Sequence, residues 1–459
     1  MVIALRGGQL TYIMMKKKAS KELFLVFLSF FLVLGVSLAN FLSLLNRQHI
    51  NVGDSILPEL VYPTQLFRNL IVQVSADRKN ILWQNDKKKH INFILTEYTP
   101  IAVKPGRLCL RLKLFGLIPV HQLVVDIVPS VLIVPGGHSI GILVQPQGLM
   151  VVGRALIYDA GGRKADPAGQ AGISIGDLIT KINGQEAVSE KQVQEEINRS
   201  GKKGKIIVLE IKRDKKIFTL RVKAIFCPET RRYRIGLFIK DSAAGIGTLT
   251  FYEPLSKSFG ALGHSINNLN TNQQMDLARG RIVAATVQGV RTGQPGQPGE
   301  KIGYFQVKSS IIGNIVKNTN YGIFGYLQQP LTNPIYPKPL PAALSYQIKE
   351  GPAEILTVVK ENQIRRFTVE IQQILPYAKA SGKGLMLKVT DPELLKQTGG
   401  IVQGMSGSPI IQEGKFIGAV THVFINDPTC GYGIPVEWML WENKTITTSN
   451  KIEKTRKIA

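Results

Sequence analysis

At 459 residues, with 44% hydrophobic and 19% charged side chains, the chain is long enough for two or three globular units, and its composition excludes a polytopic membrane protein and a disordered scaffold. The net charge of +25 is dispersed in small clusters such as Lys87, Lys88 and Lys89 or Arg231, Arg232 and Arg234; without aromatic interleaving or a groove-reading motif it points to anionic lipid surfaces and solvated faces, not to nucleic acid. Three cysteines, Cys109, Cys227 and Cys430, stand at no metal-ligand or redox spacing, so no disulfide framework, metal or organic cofactor is expected.

Residues 23–45 carry no charge and are long enough to cross a bilayer as a helix, with Lys16, Lys17, Lys18 and Lys21 just before them. The positive-inside rule then keeps the N-terminus (1–47 with the anchor) cytosolic and exports the rest. Ser37-Leu38-Ala39 offers a signal-peptidase site as the rival reading, but the apolar run exceeds an ordinary signal core.

Residues 48–130 alternate in short strand-like runs, a β-rich spacer ending near Ser130. Residues 131–226 hold a different order. Gly136-Gly137-His138-Ser139-Ile140-Gly141-Ile142 precedes Ala171-Gly172-Ile173, Ile175-Gly176-Asp177-Leu178-Ile179 and the hairpin Ile182-Asn183-Gly184; a helix is predicted from Ser189 to Asn198. This run resembles a PDZ domain of the bacterial protease type, an α+β fold. The resemblance implies that an extended peptide adds to a strand edge near Gly137, Ser139, Ile140, Gly141 and Ile142, with backbone amides receiving a terminal carboxylate.

Residues 227–445 are glycine-rich with many short apolar strands, which favours a barrel-based β domain, and residues 446–459 form a basic tail. Gly404-Met405-Ser406-Gly407-Ser408-Pro409, followed by Gly418-Ala419-Val420-Thr421-His422, resembles the nucleophile turn of chymotrypsin-like peptidases. In that resemblance Ser406 is the nucleophile, and the Gly404 and Ser406 amides form the oxyanion hole. A serine nucleophile needs a base. Of the six histidines, His264 in Gly260-Ala261-Leu262-Gly263-His264-Ser265 has the setting of an exposed functional loop, whereas His422 lies in an apolar strand and reads as packing or as a pocket wall. Between His264 and Ser406 stand two aspartates. Asp391, at a strand end before Pro392-Glu393-Leu394, is the expected orienting acid, against the alternative that it caps the following helix; Asp276 sits in a polar surface stretch.

Taken together, the anchor, the PDZ-like run, Gly263-His264, Asp391-Pro392-Glu393-Leu394-Leu395, the segment from Gly399 to Pro409 and Asn426-Asp427-Pro428-Thr429 resemble the stage IV sporulation protein B family, PDZ-containing serine peptidases of endospore-forming bacteria. The resemblance implies a signalling peptidase exported into the space between forespore and mother-cell membranes. Such an enzyme cleaves itself, and it cuts a membrane-bound regulator of an intramembrane metalloprotease so that a sigma factor precursor is processed. A general envelope quality-control protease and a non-catalytic PDZ adaptor are the other readings of the same motifs.

Overall fold

The computed structural model describes residues 49–52, 54, 70–76, 90–94, 101–114, 117–214, 216–268, 274–305, 311–375, 378 and 382–444. The expected anchor at residues 23–45 and the basic tail lie outside them. Among the described residues no helix is long and apolar enough to cross a membrane.

The chain divides after Ser130 into two compact units. The first is a five-stranded sheet of β1 (His49–Asn51), β2 (Leu70–Ala76), β3 (His90–Ile94), β4 (Gly106–Leu114) and β5 (Ile118–Val128) in the order β1-β5-β4-β2-β3. Leu108, Leu110, Val125 and Ile127 are buried in it, as alternation along β4 and β5 requires of a half-covered sheet.

The second unit starts with β6 (Leu132–Pro135) and β7 (Ser139–Pro146), then enters a PDZ-like fold. Its elements are β8 (Leu149–Arg154), β9 (Ile157–Tyr158), β10 (Lys164–Ala165), α1 (Pro167–Gln170), β11 (Leu178–Ile182), β12 (Gln185–Glu186), α2 (Glu190–Lys202), β13 (Ile207–Arg213), β14 (Lys216–Val222), β15 (Ile225–Cys227), β16 (Arg232–Arg234) and β17 (Leu237–Lys240). Asn183 and Gly184, both at positive φ, make the two-residue turn between β11 and β12. Ser189 caps α2 by accepting from the Gln192 amide, and Val193 and Ile197 face the core. Asp177 is 1% exposed and takes a two-pronged bond from Arg213, at 2.6 and 2.8 Å, which pins the turn before β11 to β13.

Two β-barrels follow. Strands β18 (Ala243–Glu253), β19 (Ser258–Ala261), β20 (Leu277–Ala284), β21 (Thr286–Arg291), β22 (Glu300–Tyr304), β23 (Ile311–Thr319), β24 (Gly322–Leu327) and β25 (Leu340–Pro341) precede β26 (Gly351–Val358), β27 (Ile364–Ile374), β28 (Leu385–Val389), α3 (Pro392–Thr398), β29 (Pro409–Gln412), β30 (Lys415–Val423) and β31 (Cys430–Pro435). The first ring runs β19-β24-β23-β20-β7-β18 and returns to β19, with β6 and β25 alongside β18; the second is a closed barrel in the order β26-β27-β28-β31-β30-β29. Closure removes free edges from these glycine-rich, short-stranded sequences. Phe251 of the first barrel meets Phe416 of the second edge-on, with centroids 6.3 Å apart, and both are fully buried; each such ring contributes roughly 2–3 kcal/mol by leaving water.

One boundary moves. β7, expected to open the PDZ domain with a free edge, is a barrel strand paired on both sides, to β18 through Ile142↔Gly245 and to β20 through Ile142↔Ile282. Its residues are buried along most of its length, which suits an interior strand and not an edge facing a peptide. Gly137, Ser139, Ile140, Gly141 and Ile142 therefore present no edge for strand addition. The PDZ sheet, in the order β14-β13-β11-β8-β17, instead ends on β17, which among the described residues pairs on one side only, with β8.

Candidate active site

The turn carrying Ser406 is built from below. Met405 is fully buried in the core of the second barrel among residues such as Val420, Val402 and Ile410, and this holds the next residue at the surface of the cleft. Gly407 has φ +93°, and a Cβ there would lie 2.1 Å from the Thr248 carbonyl oxygen and 2.6 Å from the Leu262 amide nitrogen, so only glycine lets β18, the residue 262 loop and the turn close on one another. The Thr248 amide donates to the Ser406 carbonyl at 3.0 Å, and the Gly407 amide donates to the Val420 carbonyl at 2.7 Å.

The same contacts bring His264 to the turn. Leu262 donates its amide to Thr248, and Gly263 lies against Thr421, where a Cβ would fall 2.7 Å from Thr421 Cγ2. His264 Nδ1 lies 2.8 Å from the Ser265 carbonyl oxygen; donating there fixes the Nδ1–H tautomer and leaves Nε2 as an acceptor. His422 follows Thr421 on β30, and its ring stands 5.1 Å from that of His264, tilted by 41°. Loss of hydration lowers His264 below the ordinary imidazole range, against the Ser265 carbonyl, which raises it. His422, although partly open to solvent, is pushed down to about 4, first by desolvation and then by the nearby His264 and Lys383. Both rings are neutral near pH 7. The Ser406 hydroxyl donates to the Thr421 carbonyl at 2.6 Å, so this side chain is turned toward β30.

Two amides of the turn are aimed by the carbonyls behind them. In a trans peptide the C=O and N–H point opposite ways. The Gln403 carbonyl accepts from the Lys301 amide at 2.9 Å, and the Met405 carbonyl accepts from the Ser408 amide at 2.9 Å. The Gly404 and Ser406 N–H groups are thereby turned away from the barrel, and among the described residues neither donates to a protein acceptor.

Asp391 does something else. It is the N-cap of α3: Oδ1 accepts from the Glu393 and Leu394 amides, each at 3.0 Å, and Oδ2 lies 3.3 Å from the donating Thr368 amide. The expectation that it orients His264 is corrected by this geometry, because the partner of His264 Nδ1 is the Ser265 carbonyl. Sequence reading also passed over Thr248 and Lys301, which no local motif marks.

Residues 231–440 match the family model described as SpoIVB peptidase S55, and residues 139–224 match that of a PDZ domain. The chain is a SpoIVB-like, PDZ-containing serine peptidase. Both sequence matches cross the structural boundaries: the PDZ match begins on β7, a strand of the peptidase barrel, and the peptidase match begins before β17, the edge of the PDZ sheet. Among solved structures, the PDZ domain of the SdrC-like protein from Listeria monocytogenes is 22% identical over 21% of this chain and 90% of that one, with a TM-score of 0.17. The Rv3671c protease in its inactive form is 13% identical over 42% of this chain and 79% of that one, with a TM-score of 0.24.

A second concavity lies on the PDZ-like fold. Val193, Gln194 and Ile197 of α2 and Leu237 and Ile239 of β17 line one cavity of about 330 Å³, together with Tyr233. A free strand edge beside a helix is the arrangement that strand addition needs. The tripeptide Ile235-Gly236-Leu237 parallels the Ile140-Gly141-Ile142 of β7.

Proposed function

We propose that the peptidase acts by acyl transfer with Ser406 as nucleophile and His264 as general base. Rotation about the Ser406 Cα–Cβ bond moves the hydroxyl from the Thr421 carbonyl to the free nitrogen of His264. The imidazole takes the proton as Oγ bonds to the scissile carbonyl carbon, then gives it to the leaving amine; water, deprotonated by the same base, releases the acyl group. The Ser265 carbonyl holds the imidazole in the required tautomer, and the Gly404 and Ser406 amides receive the oxyanion. The observation that carries this reading is the pair of outward-turned amides flanking Ser406, each fixed by a carbonyl bonded on the far side of its peptide plane.

In this account the β17–α2 groove binds an extended segment of the substrate and the cleft between the barrels cuts it. The resemblance to the sporulation family supports an exported, membrane-anchored enzyme that processes itself and cuts a membrane-bound regulator of an intramembrane metalloprotease in the space between forespore and mother cell. Mass spectrometry of the full-length chain held in detergent tests this. Defined N-terminal fragments that vanish in Ser406→Ala and His264→Ala support it, and fragments unchanged in Ser406→Ala refute it. Broad digestion of unfolded proteins together with indifference to the groove would favour the quality-control alternative.

A further inference from the structure

Beneath the nucleophile turn lies a lysine that, among the described residues, forms no ion pair. Lys301 on β22 is 5% exposed, and its Nζ donates to Thr357 Oγ1 on β26 at 2.8 Å and to Thr248 Oγ1 on β18 at 3.3 Å. Both threonines are fully buried. The Thr248 hydroxyl, receiving that bond, donates its own hydrogen to the Gly404 carbonyl at 2.7 Å. The aliphatic stem lies under Gly404, where a Cβ would meet Lys301 Cβ and Cδ at 3.1 Å, and the Lys301 amide holds the Gln403 carbonyl.

Burying an ammonium group without a carboxylate costs several kcal/mol, and a methionine would fill the same space without that cost. Burial pushes Lys301 down to about 7. A group retained at such expense between two barrels calls for a role, and its hydrogen bonds lead to one place. The Gln403–Gly404 peptide plane carries the first oxyanion donor, and the Gly404 carbonyl belongs to the plane that follows it, so the two together set the conformation of Gly404. Lys301 touches both, one through its backbone and one through Thr248.

We propose that Lys301 is a positioning residue for the oxyanion hole, holding the Gly404 turn in its working shape through the Nζ–Thr248–Gly404 chain. Because the chain joins β22, β18 and β26, it also makes the shape of the turn depend on the seating of one barrel against the other. The proposal rests on Ser406 being the nucleophile.

A fluorophosphonate probe tests it, since its P=O occupies the oxyanion site as Ser406 is phosphonylated. The rate of labelling is measured per folded molecule for the full chain, and the adduct is located by mass spectrometry. Lys301→Met and Thr248→Val each label about 10²-fold more slowly than wild type, the double variant labels no more slowly than either single one, and Thr248→Ser, which keeps the hydroxyl, recovers most of the rate. A folded Lys301→Met that labels at the wild-type rate overturns the proposal. Should Lys301→Met fail to fold, the threonine pair decides: equal rates for Thr248→Val and Thr248→Ser overturn it, and recovery only with serine supports it. A wild-type adduct on a residue other than Ser406 would instead defeat the nucleophile assignment, a result separable from either.

Discussion

The hydroxyl of Ser406 donates to the main-chain carbonyl of Thr421 at 2.6 Å, one residue before His422, whose ring stands 5.1 Å from that of His264. The Ser406 hydroxyl and the His264 and His422 rings thus converge at a bulged stretch of β30, where the pairing with β31 shifts between Val420 and His422. In the proposed mechanism a rotation of the Ser406 side chain takes its hydroxyl from the Thr421 carbonyl to His264. Ser406→Ala is therefore expected to leave the fold intact, with a melting temperature within a few degrees of wild type, and to reduce peptide hydrolysis by about 10⁶-fold; circular dichroism and turnover on one preparation check both.

The two histidines differ in what their loss does. In the proposed mechanism His264→Ala removes the base and is expected to cost about 10⁴-fold or more in kcat, whereas His422→Ala leaves the Ser265-held imidazole in place and is expected to cost under about 10-fold. Steady-state kinetics of the two variants separates base from wall.

Activity should persist on the acid side. The base must be neutral, and burial lowers His264 below its ordinary value of 6.5, so the acid limb of kcat/KM falls below pH 6.5. Stability follows the same sign. For His264 and His422 the folded pKa is depressed, so the unfolded chain binds more protons; stability is full above about 6.5 and declines as pH falls toward the folded value of about 4 for His422. Chemical denaturation at pH 7 and pH 5 checks the direction, with the lower midpoint expected at pH 5.

Asp391 contributes to folding through the end of α3. Asp391→Ala should lower stability by about 1 kcal/mol, and Asp391→Asn, which can still accept the Glu393 and Leu394 amides, by a few tenths. Denaturant midpoints for the two variants measure this directly.

Filling the PDZ groove should separate capture from cutting. Gln194 is exposed on α2 and lines the cavity beside β17, so Gln194→Trp is expected to weaken binding of an extended peptide by about 10-fold or more while kcat on a short chromogenic peptide stays unchanged. Fluorescence anisotropy reads the first quantity and absorbance the second.

The parts legible in the sequence are those written locally. The hairpin at Asn183 and Gly184 and the helix that follows Ser189 each depend on neighbours along the chain, and the structure places both there, with Ser189 as the cap before Glu190. The apolar run Ile140-Gly141-Ile142-Leu143-Val144 is strand-like but does not say which sheet receives it; it lies in the barrel between β18 and β20, and Leu237–Lys240 forms an edge of the PDZ sheet. Asp391-Pro392-Glu393 shows why a triad acid is hard to read: an aspartate before a proline at the first helical position is also a helix start. Lys301 gave no signal because its environment comes from Thr248 and Thr357, which are distant in the chain.

The most direct test is labelling by a fluorophosphonate, with peptide turnover, of wild type, Ser406→Ala, His264→Ala and Asp391→Asn side by side. A Ser406–His264 pair oriented by the Ser265 carbonyl predicts a wild-type adduct on Ser406, none in Ser406→Ala, turnover near background in His264→Ala, and Asp391→Asn within about 10-fold of wild type. Loss of about 10⁴-fold in Asp391→Asn, equal to that of His264→Ala, would contradict it and restore the aspartate to the catalytic group.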